Sequence, residues 1–221
     1  MAGGKGLLFA STSLPLKSMG YWTFRRPWYR RELDEPWSWL VGVVSVLVAW
    51  AGFSVAKIST YLGPTAAAIV VGMVVHEMMH RNVARRYGMR SSYVVNWLGV
   101  LITLVSAVLP IKLLAPGYTK VVAYGYGVSK RGLVRSVAAG PASNIALSLV
   151  TLAAGLAVRH VSGLAYLWLL GFSSINAYLA LFNLLPIPPL DGSKLFGWDL
   201  PLWLATIVAS GVLFAVTLLL L

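Results

Sequence analysis

Cysteine is absent from the 221 residues. That excludes disulfides and thiolate-bound metal, and leaves histidine and carboxylate as the side chains able to hold a transition metal. Acidic residues are also scarce, six against eighteen Lys and Arg, and histidine occurs three times. Charged residues make up 11% of the chain against 58% hydrophobic, and the mean hydropathy is +0.78. So little charge cannot cover the surface of a water-soluble domain, and the composition predicts an integral membrane protein. The formal charge of +12 does not read as a nucleic-acid interface. The basic residues fall between apolar runs rather than along one polar surface, which is the distribution that orients membrane helices. The N-terminus does not have the form of a cleaved signal peptide, since its apolar stretch is short and is followed by Pro15 and Lys17.

Against this scarcity, two of the three histidines and one of the six acidic residues fall within five positions, in HEMMH from His76 to His80. Spacing of i, i+4 on a helix places His76 and His80 on one face, and Glu77 beside the first histidine can reach a water held by the same metal. The preceding Ala66 to Val75 is apolar, so the motif lies at or near membrane depth. An unpaired carboxylate there costs roughly 2.5–3.5 kcal/mol on insertion scales, which marks Glu77 as functional.

The predicted fold is an all-α polytopic membrane protein with about five transmembrane helices, forming a single domain over residues 1–221 with a catalytic core at about 64–192. Residues 1–36 mix Lys and Arg with Tyr21, Trp22, Phe24, Trp28 and Tyr29, and suit the headgroup layer. Spans are expected at Trp37 to Ala56, Pro64 to Tyr87 with Gly88 as cap, about Leu133 to Arg159, Gly163 to Leu185, and Leu202 to Leu221. Between the second and third, Tyr93 to Leu114 is an apolar segment that either crosses or re-enters. One or two short strands are expected within Tyr118 to Val128, placed to receive an extended substrate segment by edge pairing.

An HExxH site needs a third protein ligand. Glu32, Asp34, Glu35 and Asp199 read as solvated interface charges, and His160 beside Arg159 as an interface residue at an outer helix end. Asp191 differs, because it follows the proline-broken PIPP stretch inside apolar sequence; it is either the third ligand or the cap of a short helix. If it is the ligand, an even number of crossings must separate it from the histidines, so Tyr93 to Leu114 must not cross. Counting charges favours the same topology: a re-entrant segment leaves only Lys57 and Arg159 of the eighteen basic residues outside, with the N-terminus and active-site opening cytoplasmic.

HEMMH at His76 to His80, GPASN at Gly140 to Asn144 and NLLPIPPLDG from Asn183 to Gly192 together resemble the site-2 protease family of intramembrane metalloproteases, and look most like its small prokaryotic, chiefly archaeal, members. The resemblance runs from the second span to Gly192. It implies that Asp191 is the third ligand of one Zn2+ per chain, that Glu77 is the catalytic base, and that Asn144 and Asn183 lie beside the site as candidate oxyanion or substrate-positioning donors. It also implies a three-helix core and cleavage of transmembrane protein substrates. Met79 stands where that family often has a small residue. The alternative class is a membrane transporter that passes a metal ion or proton through the same His/Glu/Asp cluster.

Overall fold

The computed structural model describes residues 33–52, 63–122 and 129–221. The expected N-terminal headgroup segment up to residue 32, the interval containing Lys57, and the part of the expected strand region at 123–128 lie outside the described residues. Within them the elements are α1 (Glu35–Ala51), α2 (Pro64–Arg86), β1 (Arg90–Val95), α3 (Trp97–Val105) with a 3-10 turn at Ser106–Val108, β2 (Gly117–Val122), α4 (Lys130–Val158), α5 (Gly163–Asn183), α6 (Asp191–Trp198) and α7 (Leu200–Leu220).

Local chemistry explains the boundaries. Pro64 opens α2 at a position where no backbone N–H is needed. Gly88, with φ +73°, closes it: Gly88 N–H donates to the Arg85 carbonyl and Met89 N–H to the Ala84 carbonyl, the paired bonds that end a helix on a left-handed residue. Ser129, Ser162 and Asp199 accept from the first turns of α4, α5 and α7. Asp199 is thus a helix cap rather than a simply solvated charge.

Side-chain pairs give the helix directions. Glu35 meets Arg81, and Gly42 lies against Met73, so α1 and α2 run antiparallel. His76 faces Asn144 while His80 faces Ser136, which makes α2 and α4 antiparallel. Ser148 pairs with Ser173 in α4 and α5; Trp203 bonds to Leu184 and Tyr166 to Leu220 between α7 and α5. Because α2 and α4 pack side by side and antiparallel, the segment joining them begins and ends at one face of the bundle. The strands agree: β1 and β2 pair antiparallel, with Arg90 opposite Val122 and Val95 opposite Gly117, so the chain goes out through α3 and comes back. The twelve residues from Trp97 to Val108 extend about 18 Å, well short of the roughly 30 Å hydrocarbon layer. Lys112 turns its ammonium onto the carbonyls of Ser106, Ala107 and Leu109, satisfying acceptors at the excursion's tip. Strand β1 was not anticipated, because RSSYVV continues directly into the apolar segment.

Five spans were expected, and among the described residues three helices meet the length and hydropathy a crossing needs, namely α4, α5 and α7. Helix α1 has 17 residues, and α2 carries the HExxH polar groups and three arginines in its C-terminal part. Polarity is distributed as in a membrane protein. Leu40, Val44, Val150, Leu167, Val208 and Val212 face outward, whereas Ser38, Ser45, Asn144, Ser148, Ser173, Asn176 and Ser210 are buried. Small residues let the helices approach closely: Ala49 and Ala68 pack with Val46, Ile69, Ile175 and Leu179 where α1, α2 and α5 meet.

Candidate metal centre

The buried face of α2 presents His76 and His80 to α4, and the start of α6 brings Asp191 to both rings. His76 Nε2 lies 3.2 Å and His80 Nε2 2.9 Å from Asp191 Oδ2, and the two Nε2 atoms are 3.0 Å apart. All three side chains are buried. Asp191 is the first residue of α6, with Leu190 at the capping position, so its carboxylate is directed at the histidines and does not cap the helix.

Each ring is oriented through its other nitrogen. A main-chain carbonyl only accepts, so His80 Nδ1 must donate its hydrogen to Ser136 O at 2.7 Å. Asn144 spends both amide hydrogens, on the Gly72 carbonyl at 3.1 Å and on Asn176 Oδ1 at 2.9 Å. Its Oδ1 therefore faces His76 Nδ1, which donates at 2.6 Å. Asn176 is held in turn by donating to Phe172 O. With one hydrogen of each ring committed at Nδ1, both Nε2 atoms converge on one another and on a carboxylate oxygen. A metal cation placed among these three atoms would take both Nε2 lone pairs and the carboxylate oxygen, which is the arrangement of a histidine-carboxylate zinc site. Zinc bonds of about 2.0–2.1 Å in a tetrahedron hold donor atoms about 3.3 Å apart, so a shift of a few tenths of an ångström from 2.9–3.2 Å would suffice.

The backbone opposite leaves room for an ion. A Cβ placed on Gly140 would collide with His80 Nε2 and lie 2.7 Å from His76 Nε2. Pro141 follows, buried within α4, where its missing N–H interrupts one helical bond. Beside Asp191, a Cβ on Gly192 would run into the Leu184 carbonyl at the end of α5, so only glycine lets α6 start here. Leu184 and Leu195 pack on Val134 of α4, fixing α6 against the helix that orients the rings. Lys194 Nζ lies 3.2 Å from Asp191 Oδ1, leaving Oδ2 to the histidines.

Glu77 is half-buried, and its Oε2 accepts from Thr119 on β2 at 2.7 Å. Of the two asparagines expected as oxyanion or substrate-positioning donors, Asn144 departs from that role. Asn144 has no hydrogen left to offer and acts on His76 instead, while Asn183 donates to Leu179 O within its own helix. Glu35 is not a solvated charge either: Oε1 accepts from Tyr93 N and pairs with Arg81. His160 meets Arg159 at an exposed helix end. Sequence reading missed Asn176, Ser136, Thr119 and Lys194. Asn176, an amide in the middle of an apolar helix, was the one with a detectable signal.

Replacing Asn144 with alanine is expected to free His76 to rotate and to weaken zinc affinity by about 10–100-fold, with the fold retained. Competition titration against a chelator of known affinity measures it, and wild-type affinity would refute the role assigned to this amide.

No protein-family model matches the chain, and no solved structure matches it. Two relatives each carry the name "Putative zinc metalloprotease". MJ0611 of Methanocaldococcus jannaschii is 34% identical over 137 residues, 62% of this chain and 70% of that one. Rip3 of Mycobacterium tuberculosis is 29% identical over 166 residues, 72% of this chain, which spans just 37% of that longer relative. With a His, His, Asp cluster able to hold a metal and a relative matched over most of its length, the chain belongs to the site-2 protease family of zinc metalloproteases.

Proposed function

We propose that this chain is an intramembrane zinc metalloprotease that hydrolyses peptide bonds within or near the membrane-spanning segments of other proteins. The observation that carries the reading is the meeting of His76, His80 and Asp191 in the interior of an outwardly apolar helix bundle, with Glu77 adjoining the first ligand in sequence. His76 Nε2, His80 Nε2 and Asp191 Oδ2 would hold the ion. Zinc bound there supplies Lewis acidity and brings the acidity of water to about pH 7, so that a hydroxide nucleophile is available. Glu77 accepts the proton of the attacking water as the new C–O bond forms. It then delivers that proton to the amine nitrogen as the C–N bond breaks, which regenerates the carboxylate. Asn144 and Ser136 keep both Nδ1 atoms protonated through the cycle, so neither imidazole competes with Glu77 for the proton.

Residues 1–221 act in this reading as one membrane domain of a prokaryotic cell membrane, crossing it several times, with the N-terminus and the opening to the site on the cytoplasmic face. The clustering of Arg81, Arg85, Arg86, Lys130, Arg131 and Arg135 at the helix ends nearest the site supports that orientation. A membrane-embedded site also restricts the substrate. A helix hides its carbonyls in hydrogen bonds, so the substrate must be locally unwound before Glu77 and water can act on it.

Metal analysis of purified protein tests the reading. The wild type is expected to carry one zinc per chain and to cleave a transmembrane substrate. Asp191→Ala is expected to lose at least about 100-fold in zinc affinity, more than an outer hydrogen-bond partner would cost, and to lose cleavage with it. Full zinc occupancy and full activity in Asp191→Ala would refute it.

A further inference from the structure

We propose that Thr119 is a positioning residue for Glu77, holding one carboxylate oxygen so that the other faces the reaction. The proposal rests on the protease reading above. The metal-facing side chains each have an anchor, Asn144 for His76, Ser136 for His80 and Lys194 for Asp191, and none of these reaches Glu77. A glutamate with three rotatable bonds at a half-buried position spreads over several rotamers unless something selects one, and misplacement of a base by about 1 Å can cost on the order of 100-fold in rate.

The selecting contact comes from a strand. Thr119 Oγ1 lies 2.7 Å from Glu77 Oε2 and 3.0 Å from the Glu77 main-chain oxygen. A hydroxyl has one hydrogen to give, and the ionised carboxylate at the shorter distance is the stronger acceptor. Among the described residues Oε1 accepts no hydrogen bond, which leaves it to take the proton from water. The donor is rigid in turn. Threonine is stiff at χ1, and Thr119 sits opposite Tyr93 in the β1–β2 pair. The Tyr93 ring is buried and stacks on Trp39 at 4.1 Å, while its N–H donates to Glu35 Oε1, and Glu35 pairs with Arg81. Arg81 stands one helical turn after Glu77 in α2. A closed circuit therefore runs from Glu77 through Thr119, Tyr93, Glu35 and Arg81 back to the same helix, and it fixes the strand's hydroxyl against the base.

Thr119→Val removes the hydrogen and keeps the shape, while Thr119→Ser keeps the donor. Steady-state cleavage of a transmembrane peptide in proteoliposomes is expected to show kcat lower by about ten- to hundredfold in the valine variant, with KM and zinc content unchanged, and largely restored in the serine variant. A valine variant with wild-type kcat, or a serine variant as impaired as the valine one, would overturn the proposal, the latter by assigning Thr119 to packing alone. A wild type that cleaves nothing counts against the protease reading instead. In that event thermal unfolding of zinc-free Thr119→Val, Glu77→Ala and the double variant still decides the contact, since non-additive effects are expected and additive ones would overturn it.

Discussion

Zinc bound at wild-type stoichiometry together with peptide cleavage slower by about 10²–10⁴-fold is the expected result for Glu77→Gln, the range that a positioned acid-base group contributes. The two halves of that result have separate causes. Metal retention follows because the three atoms able to hold the ion belong to His76, His80 and Asp191, and their orientation comes from Asn144, Ser136 and Lys194, none of which depends on Glu77. Loss of rate follows because an amide keeps the shape and the Thr119 contact but cannot accept water's proton. Metal content by mass spectrometry and cleavage of a transmembrane peptide in proteoliposomes measure the two together. Cleavage within tenfold of wild type would remove Glu77 from the reaction. Metal flux through the same vesicles, undiminished by the substitution, would favour transport over hydrolysis.

How far the molecule could be read beforehand differs between its parts, for physical reasons. The meeting of His76, His80 and Asp191 was accessible because a chain with three histidines, six carboxylates and no cysteine leaves few ways to build a metal site. The helix ends were accessible where one residue dominates the local energetics, as with Pro64 at the start of α2 and the left-handed Gly88 after it. The return of the segment between α2 and α4 followed from requiring Asp191 and the histidines to share a face, and the antiparallel β1–β2 pair meets that requirement. Strand β1 was hidden because RSSYVV alternates weakly and runs into apolar residues whose period does not separate strand from helix. The supports of the site were less visible still. Ser136 contributes a main-chain carbonyl, for which no residue type is diagnostic, and Thr119 acts on Glu77 from 42 positions away across a strand. Asn144 shows the opposite failure. It stands in a recognisable motif, yet it orients His76, because the role of an amide is set by which of its hydrogens remain unspent and both of its own are spent.

Gly140 is where the backbone itself makes the ion's place, and Gly140→Ala separates site from fold more sharply than any ligand change. Glycine to alanine inside a helix stabilises it by roughly 0.8–1.0 kcal/mol. The new methyl group would crowd both His80 Nε2 and His76 Nε2; moving a ring off its rotamer to clear it costs roughly 0.5–1.5 kcal/mol, and giving up that ring's Nδ1 hydrogen bond roughly a further 1–3 kcal/mol. The helix gain offsets part of this, so the zinc-free variant is expected to fold and to melt several degrees below the zinc-free wild type. Zinc binding has no such compensation, because the methyl keeps the Nε2 atoms from converging on one point with Asp191 Oδ2. Affinity is expected to fall by at least about 100-fold, beyond the cost of losing an outer hydrogen-bond partner, and cleavage with it. Wild-type zinc affinity in a folded Gly140→Ala protein would mean that the ion, and the chemistry assigned to it, sits elsewhere. A variant that fails to fold without zinc would instead show that α4 needs glycine at this position to pack against α2.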